Sequence, residues 1–372
     1  MTLRLRLYFI LQMVPFLFTK PQIKNKYGLL LSILFNKSSH TLIFKNNISA
    51  TIPEPAFLPL IHLFRILRQA ATWTITNDGI MTVSFDYKNN FSFDLTNLNQ
   101  ETKNFLDLLQ GTILFGGTII TPEDNETILN EQTLKIYEKD GKRIVETFEG
   151  IKFYIENFVG GITETFVEGI HEIHDIENWD GKIVVDVGAS MGDTPLYFAN
   201  KGAKVYAFEI SKRTYDEMIQ NLELNPELKH KIIPVHAGIG KDGELTYFTE
   251  TETVHDLHDS ATIFSKRFKD NVKLKEMQAP GYTLKTVYEK FGIDKIDLLK
   301  MDCKGCEFTI TENELKHVQK IKIEYFKYHD EHKIQDLLKI LKNAGFKYRL
   351  YKHTPFEVKS FTDAGNIFAY KD

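Results

Sequence analysis

The C-terminal half of the chain alternates short apolar runs with longer amphipathic stretches. The runs are rich in β-branched residues, as in Ile183–Val187, and their length and composition predict buried strands. The predicted strands are residues 183–187, 204–209, 232–237, 296–302, 321–326, 347–351 and 366–370, and the predicted helices are residues 164–176, 214–224, 283–291 and 331–343. Strands that alternate with helices predict a doubly wound, mostly parallel α/β sheet, whose ligands bind at the carboxyl ends of the strands.

Residues 41–159 show the two-residue alternation that is typical of half-buried strands. Three pairs of apolar runs flank the turn dipeptides Asn46-Asn47, Asp78-Gly79 and Asp140-Gly141, and each pair predicts a β-hairpin. One stretch with helical spacing, Leu58–Ala71, lies between the first two hairpins. The segment contains no catalytic pattern, so we predict a smaller β-rich domain that is a candidate for substrate recognition.

Residues 1–40 form an apolar N-terminal extension. Two arginines precede an apolar run that Gln12 and Pro15 interrupt, and residues 27–35 add a second apolar patch. The first run is shorter than the about 20 apolar residues that cross a bilayer. Three interpretations stay open: helices packed on the protein's own core, peripheral membrane association through residues 1–36, or a secretion signal.

Composition and charge are those of an ordinary globular protein. The 372 residues suffice for two or three domains, and the formal charge of −4 gives no basic footprint that would indicate a nucleic-acid partner. The only cysteines are Cys303 and Cys306, too few for a disulfide framework, so a reducing, cytoplasmic location is the default expectation. We interpret both as small buried residues, because structural zinc needs four ligands.

The turn after the first strand of the sheet is the most informative stretch. Asp186 is followed by Gly188, Ser190 and Gly192, and small residues let a ligand approach backbone N–H groups. Dinucleotide-binding turns need Gly-x-Gly-x-x-Gly, and two of these glycines are missing here. An acidic residue before the first glycine instead fits a ligand with an amine, such as S-adenosylmethionine. A plain strand followed by a capped helix is the alternative.

Glu209 ends the second strand, where its carboxylate can accept both hydroxyls of a ribose. The pair Asp186 and Glu209, at two adjacent strand ends, resembles the cofactor site of class I methyltransferases. The predicted cofactor-binding residues are Asp186, Gly188, Ala189, Ser190, Gly192, Asp193, Glu209 and Ala237, the last at the end of the third strand.

Asp302 follows the fourth strand and should face the same cleft, with Glu307 about one turn into the next helix. Together they could position an acceptor hydroxyl or remove its proton, and we predict both as catalytic. They could also hold a hard divalent cation such as Mg²⁺, although we assign no metal ligands. As a structural alternative, Asp302 caps a helix whose dipole Glu307 complements. His255 and His258, in the polar stretch 251–270, are further candidates for a base or a metal ligand.

The segment Lys300–Glu307 reads Lys-x-Asp-x-Lys-Gly-x-Glu and resembles the Lys-x-Asp-x-Glu-Gly-x-Glu motif of FkbM-type methyltransferases. The stretches Asp186–Asp193, Ala207–Glu209 and Thr283-Leu284 are also similar to that family, so the resemblance covers roughly residues 160–350. It implies a Rossmann-like class I methyltransferase domain at residues 160–372. One position departs from the family, because Lys304 replaces the first glutamate of the motif and reverses a charge beside the presumed acceptor.

The resemblance further implies methyl transfer from S-adenosylmethionine to an oxygen, often a sugar hydroxyl of a glycan, lipid or natural product. The expected partner is therefore a small-molecule or glycan acceptor. Two alternatives remain: a non-catalytic glycan- or protein-binding module that keeps the fold, which Lys304 supports, and an NAD(P)-dependent oxidoreductase, against which the missing glycines argue.

Overall fold

The structure is a computed structural model of the chain. It describes residues 6, 7, 10, 11, 13, 14 and 17, and residues 23–371 except 36, 54–56, 68–69, 86–89, 122–129, 157–158, 174–175, 177, 251–260, 264–273, 327–331 and 352–363. The chain divides into two compact units, Met1–Glu168 and Gly169–Asp372. Residues 160–168, which the sequence assigned to the methyltransferase domain, lie in the first unit.

The first unit combines short, mostly antiparallel strands with helices. The longer helices in its described residues are α1 (Lys26–Leu34), α2 (Phe57–Leu67) and α3 (Gln100–Leu114). Its strands are β1 (Ser39–Ile43), β2 (Ser49–Pro53), β3 (Thr72–Ile75), β4 (Ile80–Ser84), β5 (Asn90–Asp94), β6 (Thr118–Ile120), β7 (Thr133–Lys139), β8 (Lys142–Glu146) and β9 (Lys152–Tyr154). The pairs β1–β2, β3–β4 and β7–β8 are antiparallel hairpins, which confirms the three predicted ones.

The apolar extension contributes to the core of the first unit. Met13 and Leu17 are fully buried, as is Ile33 on α1. These positions favour the interpretation in which part of the extension packs on the protein itself. Among the described residues, no helix has both the length and the apolar character that a bilayer span requires.

The predicted helix at residues 164–176 is wrong in its extent. A short helical turn, Gly160–Ile162, continues as a π-helical turn, Thr163–Val167, and residues 168–173 and 176, as far as the structure describes this stretch, form no regular helix. Gly169 adopts a φ of 72°, a left-handed conformation that interrupts a right-handed helix.

The second unit is built on a seven-stranded sheet. Its strands in chain order are β10 (Ile183–Val187), β11 (Lys204–Glu209), β12 (Ile232–His236), β16 (Ile296–Met301), β17 (Val318–Phe326), β18 (Lys347–Tyr351) and β19 (Ala364–Tyr370). Across the sheet the order is β12-β11-β10-β16-β17-β19-β18, and β19 alone runs against the other six. This arrangement confirms the predicted doubly wound, mostly parallel fold of class I methyltransferases.

Helices and a second, small sheet complete this unit. The helices are α4 (Asp193–Asn200), α5 (Lys212–Glu223), α6 (Pro226–Lys229), α7 (Leu284–Phe291) and α8 (Ile334–Asn343). The small sheet consists of β13 (Gly238–Ile239), β14 (Gly243–Glu250) and β15 (Leu274–Tyr282). A continuous apolar core lies between the large sheet and helices α7 and α8, with Leu299, Ile321 and Leu337 completely buried. The parallel strands therefore bring the ends of β10, β11, β12 and β16 to one edge.

Candidate active site

The turn after β10 is tied to the neighbouring strand through its backbone. The N–H groups of Gly188 and Ala189 both donate to the carbonyl oxygen of Phe208, at 2.9 and 3.0 Å. Ser190 has a φ of 48°, and Gly192, with a φ of 93°, is the N-cap of α4. Two left-handed residues thus reverse the chain within a few positions, and the start of a helix faces the carboxyl edge of the sheet.

Gly188 marks the closest approach between the β10 turn and the loop after β16. A Cβ atom at this position would lie 2.1 Å from the carbonyl oxygen of Asp302, and the glycine has a φ of 80°. The N–H of Asp302 donates to the carbonyl oxygen of Val187 at 2.9 Å. Only glycine satisfies both the conformation and the contact, so the turn after β10 and the loop after β16 are packed backbone to backbone.

A buried ion pair lies beneath the turn. The Nζ of Lys300 lies 2.9 Å from Oδ1 of Asp186 and donates to the carbonyl oxygen of Gly188 at 3.0 Å. Burial raises the pKa of Asp186 to about 7 against the opposing effect of Lys300. Burial alone would lower the pKa of Lys300, but Asp186, Asp302 and Asp193 together raise it, so the lysine stays charged.

The sequence motif contained Lys300, but its role could not be assigned from the sequence. Its spacing of two residues from Asp302 is the signal that was available. Alternate residues of a strand point to the same face, and the parallel register pairs Lys300 with Asp186 directly. The positive charge of Lys300 therefore offsets part of the negative charge of Asp186, Asp193 and Asp302 at these strand ends.

Glu209 lies at the end of β11 with its carboxylate held by two backbone groups. Ser190 N–H donates to Oε2 at 3.0 Å, and Ser211 N–H donates to Oε1 at 2.8 Å. Burial raises the pKa of this carboxyl, while these hydrogen bonds and the charges of Lys300 and Lys304 oppose the rise. Each oxygen retains a lone pair for a further donor, such as a ribose hydroxyl.

The structure brings the remaining predicted cofactor residues to the same edge. The N–H of Ala237, which follows β12, donates to the carbonyl oxygen of Glu209 at 3.1 Å. Asp193 is buried in the first turn of α4, where a carboxylate complements the helix dipole. Ala189 and Ser190 belong to the turn itself.

A polar network lies behind Asp193 and has no local signature in the sequence. The hydroxyl of Thr194 lies 3.4 Å from Oδ2 of Asp193 and shares a hydrogen bond of 3.1 Å with Nε2 of His171. Lys322, on β17, contacts Nδ1 of His171 at 3.2 Å and donates to the carbonyl oxygen of Ile170. These residues lie up to 151 positions apart, so no local pattern could have revealed them.

Asp302 and Glu307 have different environments. Asp302 is half-buried at the end of β16, beside the glycine turn. Glu307 is completely buried, and its Oε2 accepts the N–H of Gly305 at 2.8 Å. It lies in a 3₁₀ turn, Cys306–Phe308, rather than one turn into an α-helix. The geometry therefore leaves Asp302 as the carboxylate at the accessible edge, whereas Glu307 holds the loop.

The interpretation of Cys303 and Cys306 as small buried residues holds for Cys306, whereas Cys303 is half-buried. The structure also joins the two in a disulfide, which the sequence analysis does not predict. Lys304 and Gly305, with φ values of 53° and 134°, fold the loop so that the two Cα atoms are 5.5 Å apart. Cys303, Cys306 and Glu307 form the one His/Cys/Asp/Glu cluster with metal-like spacing in the described part of the chain. Sulfurs engaged in a disulfide are not thiolate ligands, so this cluster does not support a divalent cation.

Lys304 is half-buried in this loop, and its carbonyl oxygen accepts the hydroxyl of Thr262 at 2.5 Å. Thr262 also pairs with Phe248 on β14 through both of its backbone groups. The small sheet is thereby connected to the loop after β16. His255 and His258 lie outside the described residues.

Comparison with known proteins relates the second unit to a methyltransferase family. Residues 186–348 match the family model of the methyltransferase FkbM domain. This part of the chain is thus similar to FkbM methyltransferase domains. The chain is 28% identical over 171 residues to the methyltransferase sdnD of Sordaria araneosa, a match that covers 40% of this chain and 65% of that protein.

Solved structures with similar folds include an FkbM methyltransferase of Methylobacillus flagellatus. It is 15% identical, with a TM-score of 0.34, over 57% of this chain and 54% of that chain. A fibrillarin of Aeropyrum pernix with bound S-adenosyl-L-methionine is 11% identical, with a TM-score of 0.34, over 81% of this chain and 98% of that chain.

The donor set at the carboxyl edge of the large sheet fits a ligand that carries both an amine and a ribose. Neither carboxylate oxygen of Asp186 accepts a hydrogen bond of ordinary geometry from a described residue, although Lys300 lies close by. A buried carboxylate with this remaining capacity suits a cationic amine. The absence of a side chain at Gly188 and the remaining lone pairs of Glu209 fit the same ligand.

Proposed function

We propose that the protein is an S-adenosylmethionine-dependent O-methyltransferase that acts on a hydroxyl of a sugar, a glycan or a related metabolite. The observation that carries this proposal is the placement of Asp186 and Glu209 at adjacent strand ends, on either side of the turn Gly188–Gly192. The match of residues 186–348 to the FkbM methyltransferase domain supports the reaction class. The sugar acceptor rests on the motif resemblance alone.

S-adenosylmethionine supplies a methyl group activated on a sulfonium. In the proposed site, the carboxylate of Asp186 binds the amine of the ligand, and Glu209 accepts the ribose hydroxyls. The backbone of Gly188, Ala189 and Ser190 lines the remaining side. Lys300 keeps these carboxylates oriented and limits their mutual repulsion.

On the acceptor side, Asp302 is the proposed proton acceptor. The hydroxyl oxygen forms a bond to the methyl carbon as the carbon–sulfur bond breaks, and its proton passes to the Asp302 carboxylate. The domain contributes mainly alignment, because the methyl group is already activated. The backbone contact between Asp302 and Gly188 fixes the distance between the two half-sites.

A non-catalytic binding module is the second candidate, and Lys304 is the observation that favours it. The family motif has a glutamate at this position, whereas here the charge of a half-buried lysine opposes the rise in the pKa of Glu209 that burial causes. If the missing glutamate takes the proton in relatives, this protein uses another group or only binds. Cofactor binding without methyl transfer to any hydroxyl acceptor would favour the binding module.

Calorimetric titration with S-adenosylmethionine and S-adenosylhomocysteine tests the cofactor site. We expect Asp186→Ala and Glu209→Ala each to weaken binding by about tenfold or more, since each removes a charge-assisted contact. Asp216→Ala is the matched control, because Asp216 is an exposed carboxylate whose partner is Lys212 on the same helix. If the folded wild-type protein binds neither S-adenosylmethionine nor S-adenosylhomocysteine, the methyltransferase proposal is contradicted.

The cellular setting also remains a proposal. The net charge of −4 supports the absence of a nucleic-acid partner. A cytoplasmic location is weakened by the Cys303–Cys306 disulfide, because disulfides persist mainly in oxidising compartments. A thiol titration on protein isolated without reductant would decide which form the chain carries.

A further inference from the structure

The first 53 residues have a charge pattern unlike the rest of the chain. They contain seven lysines and arginines and no aspartate or glutamate, for a formal charge of +7. The whole chain has a formal charge of −4, so residues 54–372 carry −11. A basic segment attached to an acidic protein is attracted to anionic surfaces that the remainder of the protein would avoid.

The same segment exposes an unusual share of large apolar side chains. Exposed fractions are 47% for Leu7, 69% for Leu11, 65% for Tyr27, 52% for Leu31 and 71% for Phe35. Elsewhere in the described residues, the large hydrophobic side chains with comparable exposure are Leu114, Phe148 and Tyr348. Single exposed apolar residues are normal on a protein surface, but a cluster of this kind marks an interaction site.

The exposed residues follow helical spacing. Tyr27, Leu31 and Phe35 are four residues apart and occupy the solvent face of α1, whereas Leu29 and Ile33 on its other face are buried. Leu7 and Leu11 are likewise four residues apart, in a stretch where Met13 and Leu17 are buried. Each helical stretch therefore anchors one face in the protein and exposes an apolar face.

A hydrogen bond joins the two stretches at one point. Nη1 of Arg6 donates to the carbonyl oxygen of Leu34 at 2.9 Å, so the residues next to Leu7 and Phe35 in the chain are in contact. Three lysines belong to the same segment: Lys24 and Lys37 are exposed, and the Nζ of the half-buried Lys26 lies 5.6 Å from the centre of the Tyr27 ring. Apolar side chains together with lysines match the interface of a bilayer. The apolar side chains enter the acyl region, and the lysines contact the lipid headgroups.

We propose that the exposed apolar side chains of Leu7, Leu11, Tyr27, Leu31 and Phe35, together with Lys24, Lys26 and Lys37, form a peripheral docking surface for a membrane that contains anionic phospholipids. Leu11, Leu31 and Phe35 insert among the headgroups. The charge of the segment favours a bilayer over a second copy of the chain. A second copy that docked through the same surface would oppose the +7 segment to itself, whereas an anionic bilayer offers both negative charge and an apolar layer. Docking of this kind would bring an enzyme to acceptors that are attached to lipids or lie at a membrane surface.

Sedimentation of the purified full-length protein with vesicles tests the proposal. One set of vesicles contains phosphatidylcholine alone, and the other contains phosphatidylcholine with phosphatidylserine. We expect the protein to pellet with the phosphatidylserine vesicles at low salt and to remain in solution with the neutral ones. The double variant Leu31→Glu/Phe35→Glu should reduce vesicle-bound protein by about tenfold, because the inserted side chains become charged.

Two further variants separate the apolar contribution from general effects. Leu114→Glu/Phe148→Glu changes two residues of the same unit that are each 48% exposed but lie outside the surface, so its binding should equal that of the wild type. Lys24→Glu/Lys37→Glu should remove the preference for phosphatidylserine. Circular dichroism confirms that each variant is folded.

Vesicle binding needs no cofactor, so its outcome is independent of the proposed methyltransferase activity. Absence of pelleting with either kind of vesicle would overturn the proposal, as would equal losses in the surface variant and the Leu114→Glu/Phe148→Glu control. A dimer in solution that Leu31→Glu/Phe35→Glu disrupts, without any vesicle binding, would reassign the surface to a second copy. Binding of RNA but not of vesicles would likewise overturn it.

Discussion

Asp186 makes the proposed cofactor site sensitive to pH in the neutral range. Its carboxyl is completely buried, and burial raises its pKa to about 7 although Lys300 lies nearby. A ligand amine binds the carboxylate form, so binding lowers this pKa and releases a proton. Affinity must therefore rise with pH until Asp186 is ionised in the free protein.

We expect the affinity for S-adenosylhomocysteine to fall by about tenfold between pH 8 and pH 6, because the ionised fraction of a group with a pKa near 7 falls by that factor. Calorimetric titrations at intervals of half a pH unit or so would measure the decline. Asp186→Asn is the matched control, since its binding should be weaker but constant over this range. If the asparagine variant shows the same decline as the wild type, another group is responsible.

Replacing a glycine that has a positive φ can destabilise a protein in two ways. The new residue is strained in the left-handed conformation, and its Cβ can also overlap a neighbouring atom, as it would at Gly188. Gly188 and Gly181 have φ values of 80° and 72°, but a Cβ at Gly188 would meet Asp302 at 2.1 Å, whereas a Cβ at Gly181 meets nothing within 4 Å. We expect Gly181→Ala to lower the free energy of unfolding by about 1 kcal/mol, the conformational cost alone. Gly188→Ala should cost about 3 kcal/mol or more, because the strand ends must also separate. Urea denaturation of both variants measures the difference, and equal losses would mean that the backbone contact with Asp302 is absent.

The sequence indicated the residues whose chemistry follows from local spacing. Asp186 and Glu209 could be placed because each ends an apolar run, and parallel strands bring such ends together. The partner of Asp186, Lys300, could be assigned only from the register between β10 and β16. His171 and Lys322 contact each other across 151 positions, and that contact depends on tertiary packing alone.

At the scale of elements, the loop after β16 is closed by the disulfide between Cys303 and Cys306. Its first residues contact the turn after β10, because the Cα of Cys303 lies 3.3 Å from the position of a Cβ on Gly188. The hydrogen bonds from Gly305 N–H to Glu307 and from Thr262 to Lys304 hold the same loop. We therefore expect that loosening this loop would also loosen the turn after β10.

We expect Cys303→Ser/Cys306→Ser to lower the free energy of unfolding by about 2 kcal/mol, the chain-entropy value for a ring of this size. It should also weaken binding of S-adenosylhomocysteine. Thermal melting with and without dithiothreitol checks the result in the wild-type protein. The chain has only these two cysteines, so any effect of the reductant on its stability belongs to this pair. If dithiothreitol leaves the melting temperature of the wild-type protein unchanged, that result would contradict a disulfide in this loop.

The elements that were predicted well are those with strong periodicity. The strands of the large sheet and the three hairpins of the first unit were all placed to within a few residues. Helix α3 and strand β15 were missed, and their compositions explain why. Strand β15 contains Pro280 and Gly281 near its end, which mask a strand pattern, and α3 contains Gly111. Gly111 faces Thr163 so closely that a Cβ would lie 2.8 Å from its hydroxyl, a packing requirement that only the folded chain reveals.

For the whole molecule, the division into two units assigns its proposed activities to different parts of the chain. The proposed cofactor residues all lie in the second unit, which has a core of its own between Val185 and Ala369. The acid-free basic segment and its exposed apolar side chains lie in the first unit.

A fragment of residues 169–372 should therefore fold and bind S-adenosylhomocysteine, with an affinity within about threefold of the full chain. Gly169 begins the second unit, so the fragment keeps His171 and its contacts with Thr194 and Lys322. A fragment that begins at Asp180 is the matched comparison, since it lacks His171 and should be less stable. The longer fragment should not pellet with phosphatidylserine vesicles, because it lacks the docking surface. Failure of the longer fragment to fold would show that the second unit depends on the first, and cofactor binding would then be a property of the intact chain.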